Sequence, residues 1–185
     1  MAAESIQLEI VTPTGVALRQ KVDDVTAPSV AGEFGVLPGH LPVLAALRTG
    51  LVTYHLSGVE HRVAVHHGFI EIANDAALLL TERFTKKEDV DVVKVRSRLK
   101  EVDDELDHWQ GELTDPRRRE LIEEEQWLAA QLELIGDAPP PTVREDTRYL
   151  VEHAEPTNPE ELARLSQSDP NLTDTGGDGG PFGDT

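Results

Sequence analysis

Between residues 92 and 113 the apolar residues fall at alternating steps of three and four: Val92, Val95, Leu99, Val102, Leu106, Trp109 and Leu113. Only a helix places such positions on one stripe, and charged residues fill the other faces. Thr85 followed by Glu88 fits a capping box for its start. Gly111 ends it, and Asp115-Pro116 offers a cap and a first-turn proline for a second helix over 116–135. That helix carries Leu121, Leu128, Leu132 and Ile135 on one face and stops at Gly136. So short a connection predicts an antiparallel hairpin closed seam against seam. Whatever apolar surface the pair leaves open calls for another part of the chain or a partner helix.

Upstream the period is two rather than three and a half. In "IQLEIV" Ile6, Leu8 and Ile10 share one face while Gln7 and Glu9 take the other. "GLVTYHLSGVEHRVAVH" reads as two strands turning at Ser57-Gly58, and "GFIEIANDAALLLTE" as two more turning at Asn74-Asp75. Strands at this spacing, with turn residues between them, predict an antiparallel sandwich or flattened barrel. The chain thus divides into an all-β domain over 1–87, a helical hairpin over 88–135 and a tail over 136–185. The tail opens with a stiff "DAPPPT" spacer, ends in a Gly- and Asp-rich run, and reads as mostly disordered.

Charge follows the same division. The net charge of −18 is made up of −2 over 1–87 and −8 over each of 88–135 and 136–185. Such a chain lacks the basic footprint that a nucleic-acid binder needs. Cysteine is absent, which removes disulfides, thiolate metal sites and thiol nucleophiles. No secretory signal is read at the N-terminus, and no apolar run approaches the ~20 residues of a membrane span. Phosphate-loop, nucleophile-elbow and zinc-protease motifs are missing. His66 and His67 are neighbours, and consecutive strand residues point to opposite faces, so no metal site is expected from them. The expectation is a protein that is not an enzyme by itself.

One segment fits none of these patterns. "AGEFGVLPGHLPVL", residues 31–44, is too apolar for a linker and too rich in Gly and Pro for a regular element. Phe34, Val36 and Leu37 suit either a crossover capping a core or a docking surface, and Glu33 and His40 are its polar groups.

In its longer context, "VDDVTAPSVAGEFGVLPGHLPVLAALRTGLV" strongly resembles the epsilon subunit of F-type ATP synthase (delta in mitochondria). That family carries a GE-F/L-G-x-x-PGH-x-P run between two strands. "IQLEIVTPTG" is similar to the family's first strand and turn, "HHGFIEIANDAALLLTE" to its glycine-led hairpin, and "KKEDVDVVKVRSRL" to the entry of its helical hairpin. The resemblance runs from residue 5 to about 135. It implies a ten-stranded β-sandwich followed by two helices, and a rotor role in the central stalk without catalysis. The partners it implies are the gamma subunit and the ring of c subunits, with alpha and beta reached through the helices. Glu33, Phe34, Val36, Leu37 and His40 would then face the ring.

The resemblance also implies that the hairpin can regulate ATP hydrolysis, in some members through bound ATP. The nucleotide pattern I/L-D-x-x-R-A reads here Val90-Asp91-Val92-Val93-Lys94-Val95. Asp91 is kept, but Lys94 cannot reproduce a guanidinium fork, so no cofactor is expected. Arg117, Arg118 and Arg119 are the basic residues that would meet beta, ahead of an acidic stretch that opposes such a contact. The location implied is the cytoplasmic side of a bacterial cell membrane, peripheral and not inserted. Two alternatives remain open: a nucleotide-sensing module whose main task is inhibition, and a sandwich serving an unrelated partner.

Overall fold

Alternation decides which face of each strand is dry. The computed structural model describes residues 5–139, so the tail reading falls, from residue 140 onward, outside the described residues. Ten strands precede the helices: β1 (Ile6–Thr12), β2 (Gly15–Val22), β3 (Asp24–Ser29), β4 (Gly32–Val36), β5 (Val43–Leu47), β6 (Gly50–Leu56), β7 (Val59–Val65), β8 (Gly68–Ala73), β9 (Ala76–Thr81) and β10 (Phe84–Lys86). Ile6, Leu8 and Ile10 of β1 are all at most 1 % exposed. Each contributes about 1.5–3 kcal/mol by leaving water. They meet Val25 and Val36, Val52 and Val63, and Ile70, Ile72 and Leu79 in one core.

The strands hydrogen-bond in the order β10-β7-β6-β3-β5-β8-β9-β1-β2, with β4 added on β3, and the sheet folds over to enclose that core. Both two-residue turns form as read. Ser57 and Gly58 adopt φ of 51° and 78°, and Asn74 and Asp75 adopt 52° and 56°. This left-handed pair matches the twist of the flanking strands. The strands are not all antiparallel, however: β1 runs parallel to β9, pairing Gln7–Val11 with Ala76–Leu80. Sixty or more residues separate the two, and alternation carries no information about so distant a pairing.

The bounds of the first helix also differ from the expectation, while those of the second are as read. Thr85 does not cap a helix; it lies in β10, paired with Ala64 of β7. A single 3-10 turn at Lys87–Asp89 follows, and then α1 (Val92–Asp107) and α2 (Pro116–Ile135). The caps are Asp91, which accepts the Lys94 N–H, and Asp115, which accepts the Arg117 N–H. Gly136, at φ 86°, closes α2 in the left-handed conformation.

Val95, Leu99, Val102 and Leu106 pack on Leu121, Leu128 and Leu132, with Val92 and Ile135 half-buried at one end. The seam therefore forms, with Trp109 still packed half-buried against it, and only Leu113 falls away. Because α1 stops at Asp107, Trp109 and Leu113 leave the helix. Trp109 folds over Gly111, where a Cβ would lie 2.9 Å from its ring, and its Nε1–H donates to the Glu112 carbonyl. Leu113 is 49 % exposed.

A second apolar face of α2 sets the hairpin on the sandwich. Trp127, Ala130 and Leu134 are buried against Ala64 of β7, with Leu51 of β6 and Val90 at the edge. Leu51 and Ala64 are cross-strand partners on the outer sheet face. A methyl group at 64 lets the helix approach closely.

Candidate functional site

The Pro-Gly-His segment is held by backbone contacts rather than by its own side chains. The His40 N–H donates to the Leu37 carbonyl, closing the turn. Gly39, at φ 82°, has its N–H donating to Asp75 Oδ1 at 2.7 Å. Asp75 in turn accepts the Gln7 N–H through its carbonyl. The segment is therefore tied to the β8–β9 turn and to β1.

The five residues read from this segment do not share one environment. Val36 is 1 % exposed and belongs to the core, so it supports the segment from beneath and offers no surface. Phe34 packs half-buried against the same core. Glu33, opposite Pro28 in the β3–β4 ladder, and Leu37 are exposed. The His40 ring turns back on its own chain, Nδ1–H donating to the Leu41 carbonyl at 2.7 Å. Around them Val30, Leu41 and Leu44 are 71 %, 79 % and 70 % exposed. Leu37, Leu41 and Leu44 fall within eight residues and leave apolar surface exposed along this segment.

A second apolar surface was not read from the sequence. Ladder register places Ala46, Phe69, Leu80, Val11 and Val16 in one row across β5, β8, β9, β1 and β2. They occupy the face opposite the core, where Phe69, Leu80 and Val16 are about half exposed. The signal was available, since these are apolar residues at positions that alternation assigns to solvent.

At the entry to α1, Asp91 and Lys94 satisfy each other. The Lys94 Nζ lies 3.1 Å from Asp91 Oδ2, while Oδ1 accepts the Lys94 N–H. These bonds hold the Asp91 carboxyl below its usual range. The arrangement is a helix cap. The three arginines do not form one basic surface either. Arg117 reaches Glu105 and Glu120, Arg118 is buried, and Arg119 is exposed. Successive helical residues point about 100° apart, which separates them. The hairpin is further tied by Arg98, whose Nε and Nη2 donate to both Glu124 oxygens at 2.7 and 2.8 Å.

Residues 5–87 match the family model described as the ATP synthase delta/epsilon chain, β-sandwich domain. An ATP synthase epsilon chain of Citrifermentans bemidjiense is 38 % identical over 104 residues, covering 56 % of this chain and 75 % of the relative. One from Nitratidesulfovibrio vulgaris is 39 % identical over 112 residues, covering 57 % and 84 %. The chain belongs to the ATP synthase epsilon family. Members of this family are non-catalytic stalk subunits of the synthase, in keeping with the missing catalytic motifs. Among solved structures, a chain in the cryo-EM structure of the Euglena gracilis mitochondrial ATP synthase aligns with a TM-score of 0.54 at 21 % identity. The alignment covers 72 % of this chain and 79 % of that one, and bears out the sandwich-and-hairpin fold. Among the described residues no helix is long and apolar enough to cross a membrane. The epsilon family joins a membrane-associated complex as a peripheral subunit.

Proposed function

We propose that this epsilon-family chain is a rotor subunit that joins gamma to the c ring and carries torque between them, at the cytoplasmic side of a bacterial cell membrane. The observation that supports this most is the pad around residues 37–44, apolar and exposed yet braced by the Gly39–Asp75 bond and by buried Val36. A coupling contact needs surface that a partner can cover and a backbone that does not yield under load. Glu33 supplies a carboxylate at the edge of the pad for a charge-assisted bond to the ring. Gamma takes the apolar row of Phe69, Leu80 and Val16 on the outer sheet face.

The test is proton pumping against ATP hydrolysis in membrane vesicles carrying Leu37→Ser/Leu41→Ser. Pumping per ATP hydrolysed falls if the pad meets the ring, and unchanged coupling refutes that assignment. Phe69→Ser/Leu80→Ser instead weakens co-purification with gamma; full retention of gamma refutes the second assignment.

The hairpin supports a second role, regulation of hydrolysis by detachment from the sandwich. Its seam is closed within itself, whereas its contact with the sandwich is a separate, smaller cluster. It can therefore leave as a unit and reach alpha and beta. Asp91 and Lys94 act as a cap in this reading, and no nucleotide is assigned to them. Deleting the chain from residue 88 onward raises hydrolysis by the assembled enzyme; unchanged hydrolysis refutes the regulatory role.

A further inference from the structure

His66 and His67 are not consecutive strand residues. β7 ends at Val65 and β8 begins at Gly68, so the two histidines occupy the turn between them and their side chains are free to converge. Their ring centroids are 4.1 Å apart. Glu82, just past β9, faces both: His66 Nδ1 lies 3.8 Å from Oε2, and His67 Nε2 lies 3.6 Å from Oε1. One donor atom from each residue falls within 4.8 Å of the others.

We propose that His66, His67 and Glu82 form a binding site for one divalent transition-metal ion, Zn²⁺ fitting best. Two imidazoles and a carboxylate are a borderline donor set of the kind that Zn²⁺ takes, with a fourth position left to water. Tetrahedral bonds of that length put donors roughly 3.4 Å apart, so the three donors, now within 4.8 Å of one another, draw together as the ion binds. The His67 and Glu82 side chains are 41 % and 62 % exposed and have the freedom to do so. Both border an open cleft of about 510 Å³ beside Phe69 and Leu80, through which a hydrated ion can enter.

His66 is the anchor. Its ring is 3 % exposed, and Nδ1 has no hydrogen-bond partner. Its Nδ1 faces Glu82, and the ring lies close to the backbone of Glu123 in α2. A buried ring nitrogen without a partner is unfavourable, and a metal ion would satisfy it. The backbone is clamped too. The His66 N–H donates to the Arg83 carbonyl at 3.0 Å, and the Thr81 hydroxyl donates to the His66 carbonyl at 2.9 Å.

The second partner of His66 gives the site a consequence. Its ring meets Trp127 edge-on at 5.8 Å, and Trp127 and Glu123 both belong to α2. The docked hairpin therefore sets the orientation of a ligand. By linkage, an ion that prefers the docked form holds the hairpin on the sandwich.

The test is calorimetric titration of Zn²⁺ into the full chain without a polyhistidine tag, in excess Mg²⁺ to occupy the acidic carboxylates, with Co²⁺ absorption as the readout of geometry. One equivalent binds, with the visible bands of tetrahedral Co²⁺. Affinity falls at least about tenfold in both His67→Ala and Glu82→Gln, exposed positions whose substitution leaves the fold intact. It falls by a similar factor in Trp127→Ala, although all three ligands remain. No binding by the parent chain, or equal binding by His67→Ala and Glu82→Gln, overturns the site. Unchanged affinity in Trp127→Ala overturns the link to the hairpin.

Discussion

Trp127→Ala isolates the contact that holds the hairpin down. Trp127 is 8 % exposed and packs with Ala130 and Leu134 against Ala64. A tryptophan buries roughly 200 Å², which at 25 cal/mol per Å² is about 5 kcal/mol. Leu134 adds about 2 kcal/mol by the same measure and Ala130 less, so the indole supplies more than half of the patch. Measured truncations of buried aromatics cost about 3–5 kcal/mol. At the lower figure the population of undocked hairpins rises more than about 100-fold. The sandwich core contains no residue of α2, and its unfolding transition should not move.

Because the chain has no cysteine, one can be introduced as a reporter. Ala130→Cys places a thiol in the docked patch, 4 % exposed at the parent alanine, where a disulfide reagent reacts only after opening. The labelling rate, measured with and without Trp127→Ala, should rise about 100-fold, while far-ultraviolet dichroism shows both helices retained. A change of less than about threefold means that the Trp127 patch does not hold the hairpin. Loss of helical signal means instead that seam and patch are not separable.

Other predictions rest on single contacts. A Cβ on Gly68 would lie 1.9 Å from the Leu80 carbonyl oxygen, a backbone atom that cannot turn away; Gly68→Ala should cost more than about 3 kcal/mol, read from a urea midpoint. The His55 Nδ1–H donates to Asp24 at 2.8 Å and its pKa is raised by that bond. The pair's contribution is thus complete below the ordinary histidine value and lost as pH rises through the raised one. In Asp24→Asn the imidazole proton shifts of His55 should titrate at lower pH, and an unmoved curve refutes the pairing. Arg98, first through its side-chain bonds, holds the Glu124 carboxyl below its usual range. That contribution is present above the ordinary carboxylate value and lost as pH falls. Glu124→Gln should cost about 0.5–1 kcal/mol at pH 7 and progressively less in acid, checked by denaturation at several pH values.

Much of the fold was legible because each pattern there had one cause. Ile6, Leu8 and Ile10 alternate because one face of β1 is dry, and Ser57-Gly58 and Asn74-Asp75 turn because those residues tolerate positive φ. The candidate surfaces were only partly legible. Residues 31–44 were recognisable as exceptional, but not as holding β4 and the start of β5 with Val36 facing inward, and the row through Phe69 and Leu80 appeared as ordinary strand. Ladder register, which no local pattern encodes, brings that row together.

In α2 the bounds were legible but the second apolar face was not, because two faces of one helix are buried for different reasons. Leu121, Leu128 and Leu132 answer the seam of α1, while Trp127, Ala130 and Leu134 answer the sheet. Superimposed, the two stripes blur any single helical period, and only the seam that continued from α1 could be followed. The same superposition hid the surroundings of His66. Read as a strand residue, it had a face but no neighbours. Placed in a turn under α2, it has Glu123 and Trp127 on one side and His67 and Glu82 on the other. A helix that reads as one half of a hairpin thus also forms the roof over a polar cluster. The cluster and the roof are therefore expected to respond together when either is changed.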